Sequence, residues 1–183
     1  MNTNTEIMIL VGLLAIAGLA ILLFRRRTTE RLQSKFGPEY SRTVDEAGGR
    51  TKAAAVLQQR EKRVQAFTIK ALTPTERERF VQEWRGVQTQ FVDDPKSAVI
   101  SADQLLGVVM GTRGYPVGDF EQQSADLSVD HPLVVQNYRT AHAIAVRDAK
   151  GQAGTEDLRQ AMLSYRALFD ELVSDAAPAR LSA

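Results

Sequence analysis

The chain has 183 residues, a net charge of +1, no cysteine and two histidines, and 44% of its residues are apolar. Without cysteine there is no disulfide framework, thiol nucleophile, thiolate zinc site, iron–sulfur ligation or thioester lipid anchor. His131 and His142 alone cannot build a multi-histidine metal cage. Seventeen of the first 24 residues are apolar while the remainder has ordinary content, which excludes a polytopic membrane protein, a collagen-like fibre and a wholly disordered chain.

The apolar excess sits in Ile7–Phe24, a run of 18 residues without a charge. As a helix it would extend roughly 27 Å, near the ~30 Å hydrocarbon core of a bilayer. A cleaved signal peptide needs a basic leader and a small-residue cleavage site. Here the leader is MNTNTE and the run ends Leu22-Leu23-Phe24-Arg25. The sequence therefore predicts a retained transmembrane anchor over 1–24. Arg25, Arg26, Arg27, Arg31 and Lys35 follow it, and the positive-inside rule then puts the N-terminus outside and the body in the cytoplasm. Residues 25–70 carry 12 Lys/Arg against 5 Asp/Glu, so this stretch is expected to lie near anionic lipid as a basic helical connector over 25–71. The anchor has no small-xxx-small pair and gives no sign of dimerisation.

Residues 28–36 can continue the first helix, and Gly37-Pro38 ends it. A short helix over 38–47 stops at Gly48-Gly49. Residues 50–68 place Ala53, Leu57, Val64 and Phe67 on one face, interrupted by Arg60 and Glu61. Thr73-Pro74-Thr75-Glu76 has the spacing of a capping box with proline at the first helical position. Phe80, Trp84, Val87 and Phe91 then mark one buried face. Asp93-Asp94-Pro95 closes that helix and opens another over 95–113, with Ala98, Ala102, Leu105 and Val109 repeating the spacing.

Gly114-Tyr115-Pro116 stops the chain again, and a short polar helix over 119–127 follows, with Asp119 and Asp130 suited to cap the helices after them. A helix over 132–147 carries Val134, Tyr138 and Ala141. The last is capped by Thr155 and carries Leu158, Met162, Tyr165, Phe169 and Leu172. Nothing alternates at period two for long enough to make a strand. The expected fold is all-α: the anchor, the connector, a compact four- to five-helix domain over 72–174 and a frayed tail over 175–183.

No nucleotide loop, nucleophile elbow, zinc-protease helix or calcium loop occurs. The one chemically dense segment gathers Arg113, Tyr115, Asp119, Glu121, Asp126, Asp130 and His131, with Tyr138 and His142 on the next helix. Such a group could hold a hard cation or run acid–base chemistry. The same residues also suit helix caps, a solvated face and a boundary histidine. No cofactor or resident metal is expected, and the connector lacks the interleaved aromatics of a nucleic-acid surface.

The segments FGPEY (36–40), LTPTERERF (72–80), FVDDP (91–95), RGYPVGDFEQ (113–122) and SVDHPLVVQNYRTAH (128–142) resemble a group of uncharacterised bacterial single-pass membrane proteins with a helical C-terminal domain. The resemblance implies architecture and a bacterial inner-membrane setting, and carries no catalytic residue. The functional expectation is a membrane-anchored binding or scaffolding protein with a protein partner. The alternative is a membrane-tethered enzyme or ligand-binding domain using residues 113–142.

Overall fold

The structure, a computed structural model, describes the backbone of residues 3–174 and the side chains of residues 12–174. Among the described residues every regular element is a helix: α1 (Thr3–Phe36), α2 (Pro38–Ala47), α3 (Arg50–Gln65), α4 (Pro74–Asp93), α5 (Pro95–Arg113), α6 (Phe120–Asp130), α7 (Val135–Ala149) and α8 (Thr155–Ser174). The expected tail over 175–183 lies outside the described residues. The chain forms two compact units, Met1–Leu57 and Gln58–Ala183, dividing inside α3. The sequence pattern places the start of the compact domain later, at residue 72.

In the first unit, α1 runs unbroken through the basic flank to Phe36, so Arg25, Arg26, Arg27, Arg31 and Lys35 are exposed positions on one continuous helix. Gly37, at φ 50°, then turns the chain and Pro38 opens α2. Helix α1 packs on α2, and Leu32, Phe36 and Tyr40 are buried there.

The membrane expectations are corrected here. Among the described residues no helix is long and apolar enough to cross a membrane. Of the apolar run, the side chains of Ile7–Val11 lie outside the described residues. The described part of the run, Gly12–Phe24, leads into Arg25-Arg26-Arg27 on the same continuous helix. The single-pass transmembrane assignment, the N-terminus-out orientation and the bacterial inner-membrane location all rested on that run being a span, and fall with it.

The second unit is built on the apolar faces of α4, α5, α7 and α8. The closest pairings are α7 with α8, α4 with α5 and α5 with α8, so α5 and α8 lie at its centre. Every apolar position expected on the α5 face is buried, from Ala98 to Met110, as are Leu158, Met162, Tyr165, Phe169 and Leu172 of α8. Each fully buried large side chain of this kind contributes about 1.5–3 kcal/mol.

Local signals set the helix ends. Thr73 Oγ1 accepts from Glu76 N at 3.2 Å while Glu76 Oε2 accepts from Thr73 N at 2.8 Å, which is the reciprocal capping box. Asp94 and Asp119 cap α5 and α6 through Ser97 N and Gln122 N. Two expected caps are corrected. Asp130 closes α6 instead of capping α7, which starts later, at Val135. Thr155 is the first residue of α8, and Gly154 N donates to Asp157 Oδ2 at 3.0 Å. Gly114 ends α5 at φ 98°, where a Cβ would lie 2.2 Å from the Thr68 carbonyl oxygen. Only glycine fits there, because the segment before α4 passes directly over it.

Candidate functional site

The dense segment from 113 to 142 is folded into separate structural contacts. Arg113 is fully buried and donates from Nη1 to the Leu172 carbonyl at 2.8 Å, tying the end of α5 to α8. Its own carbonyl accepts from Lys70 N at 2.9 Å. Tyr115 is buried and its hydroxyl donates to Asp130 Oδ2 at 3.0 Å. Asp119 serves as the α6 cap, and Glu121 is exposed in the first turn of that helix.

Asp126 is buried and accepts from Arg63 Nε at 3.0 Å and from Gln122 Nε2 at 2.9 Å. One turn away, Arg60 Nη1 donates to Ser128 Oγ at 3.2 Å. His131, also buried, faces Glu171 Oε1 through Nδ1 at 3.3 Å, with the Tyr115 ring tilted 6.2 Å away. Tyr138 donates to Gln123 Oε1 at 3.1 Å. His142 is half-buried and stacks on Phe120, centroids 3.6 Å apart and planes 8° from parallel.

The candidate residues therefore face α3, α8, α6 and one another in pairs. Among the described residues, no group of three or more histidine, aspartate or glutamate side chains is arranged to hold a metal ion. Two buried phenols, Tyr138 and Tyr165, are held in their neutral form. Burial pushes the Tyr138 hydroxyl well above the ordinary tyrosine value, and the Asp103 carboxylate adds to it. Tyr165 is raised for the same reasons, and its hydrogen bond to Asp103 Oδ1 at 2.8 Å further favours the protonated phenol.

Sequence reasoning missed the partners. Arg60 reads as an interruption of an apolar stripe and Arg63 carries no signal of its own, yet both stitch α3 to α6. The available signal was Glu61, which falls on the Ala53–Leu57–Val64 face and is buried with it.

The second unit also carries a shallow groove between α4 and α8, about 180 Å³ in volume. Trp84, Phe91, Met162 and Leu163 supply its apolar walls, and Gln88, Arg159 and Arg166 its polar edge. Trp84 stacks on Phe169 at 4.6 Å and is 4% exposed, and its indole Nε1–H is buried without an acceptor. Leu163 is 47% exposed beside it. The edge arginines are held by acids of their own helix, Arg159 by Glu156 at 2.6 Å and Arg166 by Asp170 at 3.4 Å.

No family model, curated protein or solved structure matches the chain.

Proposed function

We propose that this chain is a helical binding module whose α4–α8 groove receives an apolar anchor side chain from a protein partner. The observation that carries this reading is the unsatisfied Trp84 indole N–H beside the exposed Leu163 in one groove. A buried donor without an acceptor costs about 1–3 kcal/mol. A backbone carbonyl next to the inserted anchor is the group that would satisfy it. The arrangement of aromatic and Met walls inside a polar edge is that of an interface core with its rim. A helix or short segment laid between α4 and α8 meets both. The polar residues of 113–142 support the same reading, since their contacts brace α3, α6 and α8 against one another.

The test places a photo-crosslinking side chain at Gln88, beside the groove, and at Gln136, an exposed position of α7, in the full chain in its native cell. A discrete protein adduct is expected from Gln88 and its loss on adding Leu163→Asp. Equal adducts from both positions, or an adduct indifferent to Leu163→Asp, would overturn the proposal.

A further inference from the structure

The first unit contains a polar cleft that the groove does not involve. Its volume is about 250 Å³, below the roughly 300–1,000 Å³ of sites for drug-sized ligands. Thr29 and Gln33 of α1 form one wall, Tyr40, Ser41 and Asp45 of α2 another, and Arg50 at the start of α3 the third.

The turn explains the grouping. Gly48 at φ 69° and Gly49 at φ 143° turn the chain between α2 and α3. Asp45 and Arg50 therefore border one cleft from two different helices. Neither takes part in the ion pairs formed by the other described residues; the acids flanking Arg42 are Glu39 and Glu46.

Tyr40 is the second observation. It is 5% exposed, it lines the cleft, and its hydroxyl is buried without a hydrogen-bond partner. A phenol both donates and accepts, and burying one unsatisfied is unfavourable. One guanidinium, one carboxylate and a set of neutral hydroxyl and amide groups thus meet in a space too small for a large ligand.

We infer that this cleft binds a small zwitterion of the α-amino-acid class. Arg50 takes the carboxylate in a forked pair, Asp45 takes the ammonium, and Tyr40 with Gln33 and Ser41 bonds the polar side group. Ligands bearing only one charge leave either Arg50 or Asp45 uncompensated and bind more weakly. Val44 is the one aliphatic hydrocarbon side chain of an otherwise polar-tipped lining, so the cleft favours short polar side groups over long aliphatic ones.

The experiment is a titration of the full chain followed by amide chemical shifts, with glycine, L-serine and L-glutamine as probes and acetate and methylammonium as single-charge controls. Saturable shifts at Gln33, Ser41 and Arg50 are expected with L-serine or L-glutamine, at least ten-fold tighter than with either control. Arg50→Gln and Asp45→Asn should each weaken binding at least ten-fold, and Tyr40→Phe about five-fold. Arg50 and Asp45 are exposed, so these two variants keep the fold. Circular dichroism checks Tyr40→Phe, and Ser41→Ala gives a second readout should that variant unfold. No saturable shift with any amino acid, equal affinity for acetate, or unchanged affinity in Arg50→Gln and Asp45→Asn would each overturn the assignment.

Discussion

The α5–α8 interior and the surroundings of α6 belong to the same unit but are held together in opposite ways. Between α5 and α8 the contacts are mostly apolar and continuous, from Val99, Leu106 and Met110 to Tyr165, Leu168 and Leu172, with Arg113 and Asp103 adding one polar tie each. Around α6 they are polar and pairwise: Arg63 with Asp126, Arg60 with Ser128, Tyr115 with Asp130. Apolar packing is non-directional and grows with area, so it tolerates conservative exchange. Paired polar contacts are directional, and losing one partner strands the other. The interior should therefore carry most of the stability, and the α6 network most of the specificity of arrangement.

The largest effect is expected in the interior. Leu106→Ala removes a fully buried side chain at the centre of the unit and should cost about 2–5 kcal/mol in urea unfolding. A cost under about 1 kcal/mol would mean that α5 and α8 do not form the stability core. Gly114→Ala comes next. Its added Cβ meets backbone, which cannot rotate away, and the residue must keep a positive φ. A loss of about 1–3 kcal/mol is expected, and hydrogen exchange should rise at the Lys70 amide, which bonds the Arg113 carbonyl.

The α6 network gives a smaller effect with a distinct signature. Arg63→Ala leaves the buried Asp126 with Gln122 as its remaining side-chain donor among those described, and should cost about 1–2 kcal/mol. Arg63→Ala and Asp126→Ala combined should cost less than the sum of the two singles by more than about 0.5 kcal/mol. Additive losses would show that the pair is incidental.

The smallest effects lie at the helix ends. Thr73→Ala should cost about 1 kcal/mol by removing one half of the capping box. Stability should also depend on acid. Backbone and side-chain hydrogen bonds to Thr73 hold the Glu76 carboxyl below its ordinary 4.5, and bonds from Ser97 hold Asp94 below 3.8. The Gly154 amide, then Arg147, lowers Asp157 in the same way. A carboxyl depressed in the folded state stabilises it fully above the unfolded value. That contribution is lost as the pH falls below about 4 and through the folded value. Thermal unfolding between pH 6 and pH 2 should show this loss, reduced at its upper end in Thr73→Ala.

The candidate site was the least legible part. His131 and Asp126 stand out in the sequence because four acids and a histidine crowd into 13 positions. Their partners Glu171 and Arg63 lie 40 and 63 residues away. No local spacing encodes such a pairing, so an apparent acid–histidine cluster was in fact a set of separate bonds. The cleft around Tyr40 was invisible for a similar reason, since it needs α1, α2 and the turn before α3 together.

The sequence alone determined the helical class, the capping box at Thr73, the bounds of α2 and α5, and the buried faces of α4, α5 and α8. Those features depend on residues within one or two turns of each other, where the 3.6-residue period and the caps act directly. Tertiary structure alone decided that Arg60 and Arg63 face α6 and that Asp130 bonds Tyr115. It also decided that Trp84 keeps an unpaired N–H and that Asp45 and Arg50 border one cleft. These outcomes depend on which helix faces meet, and that is set by the packing of the whole unit.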